Sequence, residues 1–241
     1  MSVWVGTSGY NYREWKGSFY PADLPASGML GYYTEHFRTV EINNTFYRMP
    51  TEAVVRGWAA ATPQDFRLTL KAPQGITHHA RLRDCAERVQ RFLEVARILG
   101  EKAGALLFQL PPNLRQDLAL FDGFLEALPL GTRAAFEFRH PSWLEPGTYQ
   151  RLRARNLALC IADSEKLSTP LEITADFGYF RLRDEGYDAG DIERWADIIR
   201  ERTRSCREVF VYFKHEESGA GPQLARALLA ALARHGSRPA P

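Results

Sequence analysis

At 241 residues the chain is long enough to bury about three quarters of its unfolded surface in a single core, so one domain spanning residues 1–241 is the default. Hydrophobic residues at 45% and charged residues at 25% exclude a disordered or fibrous chain, and a net charge of +2 is too small by itself to imply a nucleic-acid partner. Cys85, Cys160 and Cys206 lack a CxxC pair, which argues against a disulfide framework or a structural zinc site. The N-terminus has no basic, apolar leader and no run approaches a membrane span, so a cytoplasmic protein without membrane contact is expected.

Along the chain, short β-branched or aromatic runs alternate with segments of helical period, the pattern of a parallel sheet covered by helices. The runs fall at 3–7, 39–43, 66–71, 103–109, 134–139, 158–163, 179–183 and 209–214. Helical segments are expected at 28–37, 51–61, 84–99, 117–128, 147–155, 190–203 and 222–235. Boundary signals include Thr51 before the second helix, Asp84 before the third and Gly221-Pro222 at the last. Residues 164–178 show no helical period, so the sixth connection should be irregular, and 236–241 read as a disordered tail. Eight such units in a chain of this length predict a single (β/α)8 barrel.

Side chains alternate along a strand, so an apolar set that faces the helices leaves its alternates facing the barrel axis. On that parity Glu41 and Asn43, Lys71, Glu137 and Arg139, Arg181 and Arg183, and Lys214 point inward near the strand ends. Gln109 and Asp163 are placed inward by the same reasoning. The C-terminal mouth of such a barrel is where enzymes of this architecture build their sites. Five cations there face three carboxylates, an excess that points to an anionic ligand, with phosphate favoured because guanidinium forks match its oxygens. An ion-pair network that merely plugs the barrel is the structural alternative.

The loops above the strands add Tyr10, Tyr47 and Trp143, rings suited to stacking on a sugar or base or to forming a small lid core. The segment Glu216-Glu217-Ser218-Gly219-Ala220-Gly221-Pro222 follows the eighth strand, where barrels often hold phosphate. His78, His79, His140 and His215 also follow strand ends, and Glu137, His140 and Asp163 are the set that would hold a divalent metal such as Mn or Mg.

The segments VGTSGYNYREWKGSFYP, TVEINNTFYRMP, ITHHARL, LLFQLPPNL and AAFEFRHPSW resemble the YecE-like family, a bacterial group built on a domain of unknown function. The resemblance spans almost the whole chain. It implies a TIM barrel and adds weight to Glu41, Asn43, Gln109, Glu137, Arg139 and His140. Two stretches depart from the family pattern: Arg183-Asp184-Glu185-Gly186, where members often carry a His-Gly pair, and Lys214-His215-Glu216-Glu217, where an Asn-containing segment is usual.

Three functions fit these residues. Hydrolysis of a phosphate ester or phosphodiester, with nucleic acid among the candidate substrates, would use Lys71, Arg139, Arg181 and Arg183 to hold phosphate, with Glu41, Glu137 and Asp163 as general base or metal ligands. Glycoside hydrolysis would use paired carboxylates. Binding of nucleic acid or a phosphorylated metabolite without turnover would use the cations alone.

Overall fold

A computed structural model describes residues 1–163, 167–215 and 219–234. Eight parallel strands close into a barrel in chain order: β1 (Ser2–Ser8), β2 (Thr39–Ile42), β3 (Arg67–Lys71), β4 (Ala103–Gln109), β5 (Ala134–Glu137), β6 (Ala158–Asp163), β7 (Phe177–Leu182) and β8 (Glu208–Phe213). The helices are α1 (Met29–His36), α2 (Asn44–Tyr47), α3 (Glu52–Ala60), α4 (Ala86–Arg97), α5 (Leu118–Glu126), α6 (Pro146–Ala154), α7 (Ala189–Arg202) and α8 (Ala220–Arg234). This is the (β/α)8 barrel expected from the alternation of runs. Among the described residues no helix is long and apolar enough to cross a membrane.

The ends of the elements follow local chemistry. Thr51 accepts the Val54 amide at 3.4 Å and so caps α3, and Asp188 caps α7 through a reciprocal box with Asp191. Asp84 does not cap α4: its backbone is left-handed at φ 44°, and the helix starts beyond Cys85. Pro222 sits in the first turn of α8, where an amide hydrogen has no helical partner to lose. In the sixth connection residues 167–176 form no helix; Thr174 instead accepts the Leu159 amide and donates to the Leu157 carbonyl, both at 2.7 Å. The tail at 236–241 and the segment Glu216-Glu217-Ser218 lie outside the described residues.

Two apolar layers hold the barrel. One lies between strands and helices and includes Val40, Leu68, Leu70, Phe108, Phe136, Phe180, Leu182 and Val209. The other fills the barrel interior with Trp4, Leu107, Cys160, Phe177, Tyr179, Phe210 and Tyr212. Gly6 faces inward beside Tyr212 in the β1–β8 register, and a Cβ there would lie 2.2 Å from the Thr39 carbonyl oxygen. Its absence lets β1 close against β2 while the Tyr212 hydroxyl reaches Thr39 and Thr69, each at 2.8 Å. The three cysteines are buried and unbridged. Apolar layers thus fill the lower interior and leave polar side chains to the upper ends of the strands.

Candidate functional site

Partners in a parallel ladder present their side chains to the same face, so the register decides which residues share the interior. Ser8 pairs with Glu41, Glu41 with Thr69, Lys71 with Leu107, Gln109 with Glu137, and Arg181 with both Ala162 and Tyr212. All belong to the inward set. Asp163 pairs with Leu182 on the opposite, helix-facing set, and its carboxylate accepts the Tyr187 hydroxyl at 2.8 Å. The inward placement expected for Asp163 is therefore corrected. Its strand, ALCIAD, is apolar or small on both faces, so no alternation marked the inner side.

Arg181 is the hub of the inner site. The residue is fully buried, with Nη1 donating to Glu137 Oε2 at 2.5 Å and Nη2 to Glu41 Oε1 at 2.8 Å and Ser8 Oγ at 3.0 Å. Glu41 also accepts the Ser8 hydroxyl on Oε1 and the Tyr179 hydroxyl on Oε2, the latter at 2.5 Å. Asn43 Nδ2 donates to Ser8 Oγ at 2.8 Å. Glu137 accepts Gln109 Nε2 at 2.8 Å on Oε2, and Oε1 faces Arg183 Nη1 at 3.1 Å and Arg139 Nε at 3.3 Å. Two buried carboxylates are thus bridged by one guanidinium, and every carboxylate oxygen has a donor.

This pairing shifts the titration of Glu137, Arg181 and Tyr179. Burial alone would push the Glu137 carboxyl upward, but Arg181, Arg183, Arg139 and the Gln109 amide outweigh it and hold Glu137 at about 2. Burial disfavours charge on Arg181, yet Glu41 and Glu137 keep it a cation. Burial, reinforced by the Glu41 charge, holds the Tyr179 phenol well above its ordinary range, so it remains a neutral donor.

Outside this core the mouth is cationic. The Arg139 and Arg183 side chains are 31% and 19% exposed, and each spends one nitrogen on Glu137. The remainder of each guanidinium makes no hydrogen bond among the described residues. Lys214 is half-buried just beyond β8. Lys71, at the end of β3, is 8% exposed and has no ion pair or hydrogen bond to its ammonium among the described residues; Nζ lies 4.0 Å over the Phe46 ring. Burial first, then the charge of Arg181, pushes the Lys71 ammonium down to about 7. On the other flank of Phe46, His78 meets the ring edge-on at 4.9 Å, and burial and Lys71 lower its imidazole to about 4.

Other residues singled out in the sequence lie apart from this cluster. Trp143 is fully buried, stacked on Phe138 at 4.9 Å, with its indole donating to the Leu114 carbonyl at 2.8 Å. It belongs to the lid's own core, which corrects its expected place against a ligand. Tyr10 is half-buried against Tyr33, whereas Tyr47 is 73% exposed on α2. His140 caps the short turn after β5, its Nδ1 accepting the Ser142 amide at 3.2 Å. Glu137, His140 and Asp163 do not converge, and among the described residues no three His, Cys, Asp or Glu side chains are grouped to hold a metal ion. Sequence reasoning left out Tyr179, which shares the parity of Arg181, and counted Phe46 only among the loop rings after the second strand, because the four-residue helix that carries it over Lys71 is too short to show a period.

Comparison with known proteins places this geometry in a wider group. The family model described as "Protein of unknown function DUF72" matches residues 4–241. The chain is 35% identical over 126 residues to the UPF0759 protein YecE of Escherichia coli K12; that stretch covers 52% of this chain and 46% of the relative, under half its length. It is 22% identical over 256 residues to the UPF0759 protein YunF of Bacillus subtilis, with 90% of each chain covered. Among solved structures, a DUF72 family protein from Thermotoga maritima superposes with a TM-score of 0.84 at 27% identity, covering 97% of this chain and 100% of that one. A structure described as AsfvAP:AG superposes at a TM-score of 0.52 and 11% identity, over 97% of this chain and 99% of that one, a likeness of fold alone.

Proposed function

The chain belongs to the DUF72 family, a membership that carries the barrel fold without naming a reaction, and from the geometry of the mouth we propose that it binds a phosphate-bearing small molecule there. One observation carries this reading. Four cations (Arg139, Arg181, Arg183 and Lys214) and the Lys71 amine stand around two inward carboxylates, and both carboxylates are already occupied by donors. The free parts of the Arg139 and Arg183 forks offer planar donors to an oxyanion, and Glu137 positions both guanidiniums from below. In a partly desolvated mouth such charge-assisted bonds are stronger than on an open surface.

An architectural role for Glu41 and Glu137 is part of this reading, supported by their donors. Glu137, held at about 2, is a poor proton acceptor at neutral pH, and each carboxylate oxygen of Glu41 and Glu137 already accepts from a protein donor. The glycosidase reading is disfavoured for the same reason, since the two carboxyls share one guanidinium. A small molecule fits better than a nucleic-acid backbone because three guanidiniums, Arg139, Arg181 and Arg183, converge on Glu137 at the barrel end, whereas a backbone calls for a stripe or face. Hydrolysis of a phosphate ester is the enzymatic extension of this reading, and turnover of a phosphate-ester panel would separate it from binding alone.

The test is thermal unfolding in rising inorganic phosphate, with sodium chloride matched for ionic strength. A ligand at a hundredfold its Kd adds about 2.7 kcal/mol to folded-state stability, so a saturating rise in Tm specific to phosphate is expected. Equal curves in phosphate and chloride would remove the proposal.

A further inference from the structure

Lys71 differs from the other cations of the mouth. Arg139, Arg181 and Arg183 each reach a carboxylate oxygen, whereas the Lys71 ammonium has, among the described residues, the face of Phe46 and no ion pair. Around it stand Arg181 from β7, Glu41 from β2, Glu137 from β5 and Lys214 beyond β8, with His78 and Arg139 nearby. No carboxylate comes within ion-pairing distance of it among the described residues. A buried amine with no carboxylate at ion-pairing distance and with Arg181 and Lys214 among its neighbours is an expensive way to place one more positive charge. It is an effective way to hold a neutral amine, because desolvation and neighbouring cations are the two means by which proteins activate lysine as a nucleophile.

We propose that Lys71 is a nucleophilic amine that forms an imine with a phosphorylated aldehyde or ketone, whose phosphate is held by Arg139 and Arg183. This rests on the phosphate-binding reading and gives it a substrate class. The Nζ lone pair attacks the carbonyl carbon, the carbon–oxygen π bond opens, and the oxygen takes a proton to give a carbinolamine. Loss of water, carrying away that oxygen and both amine hydrogens, leaves a carbon–nitrogen double bond to Lys71. No redox partner is needed. The amine is ready at neutral pH because burial and Arg181 push its ammonium to about 7, where an ordinary lysine is almost wholly protonated.

Reductive trapping tests this on the intact chain, which has only five lysines: Lys16, Lys71, Lys102, Lys166 and Lys214. The protein is incubated at pH 7 with glycolaldehyde phosphate and sodium cyanoborohydride, and adducts are counted by intact mass and located by peptide mapping. A single adduct at Lys71 is expected, formed at least tenfold faster than with glycolaldehyde and slowed by inorganic phosphate. Lys71→Arg, which keeps a long basic side chain but has no nucleophilic amine, should abolish it, with circular dichroism confirming the fold. Label spread over Lys16, Lys102 and Lys214 without preference for Lys71 would overturn the proposal even in the wild-type chain, whatever the variant does. If inorganic phosphate stabilises the protein but Lys71 stays unlabelled, the nucleophile fails and the anion site stands. Equal labelling of Lys71 by both aldehydes, indifferent to phosphate, would instead overturn the phosphorylated substrate class while leaving the amine reactive.

Discussion

Replacing Arg181 with methionine keeps much of the side-chain volume and removes the one charge that lies between Glu41 and Glu137. Both carboxylates are essentially inaccessible to solvent, at 0% and 1% exposure of their side chains. Breaking a buried pair by deleting one partner costs about 3–5 kcal/mol, because the other charge is left uncompensated. Glu137 retains Arg183 and Arg139, and Glu41 retains only Ser8 and Tyr179, so the main loss falls on Glu41. For a chain of this size each kcal/mol moves Tm by roughly 2–4 °C, so a fall of about 6–20 °C is expected at pH 7. Thermal unfolding followed by circular dichroism reads it directly. A triple variant, Glu41→Gln, Glu137→Gln and Arg181→Met, should recover most of the loss. A single Arg181→Met variant within 2 °C of wild type at pH 7 would refute the hub assigned to this residue.

Two further substitutions have defined outcomes. Trp143→Ala should destabilise the protein by about 3–5 kcal/mol in urea unfolding while phosphate affinity stays unchanged, since Trp143 packs under the lid away from the cations; a selective loss of phosphate binding would contradict that placement. Lys71→Met should stabilise the chain, and by more at pH 6 than at pH 9. The folded pKa of about 7 lies below the unfolded value of 10.5, so the unfolded state holds the extra proton between them and wild-type stability rises with pH across that window. Equal effects in urea at both pH values would contradict a desolvated Lys71.

How far the site could be read from sequence depended on whether a strand alternated. In TVEI and RLTLK apolar and polar residues take turns, and Glu41 and Lys71 lie on the inner face their pattern implies. In ALCIAD both faces are apolar or small, and Asp163 was misplaced because nothing in the strand distinguishes inside from outside. Parity also cannot tell which polar neighbours meet. The joining of Glu41 to Glu137 through Arg181 depends on barrel closure, which brings β7 within reach of β2 and β5. Aromatic residues in loops carry no sign of whether they face a ligand or one another, and Trp143 proved to pack on Phe121 and Phe138. The four-residue α2 was invisible for want of a repeat, although it brings Phe46 over Lys71.

The decisive measurement is a calorimetric titration of inorganic phosphate into the wild-type chain and into the Arg139→Ala/Arg183→Ala double variant. One saturable site per chain is expected, with affinity falling as potassium chloride is added and at least tenfold weaker in the double variant, since a charge-assisted bond is worth about 1.5–3 kcal/mol. An absence of saturable heat with the wild type, or unchanged affinity in the double variant, would contradict an anion site at the barrel mouth.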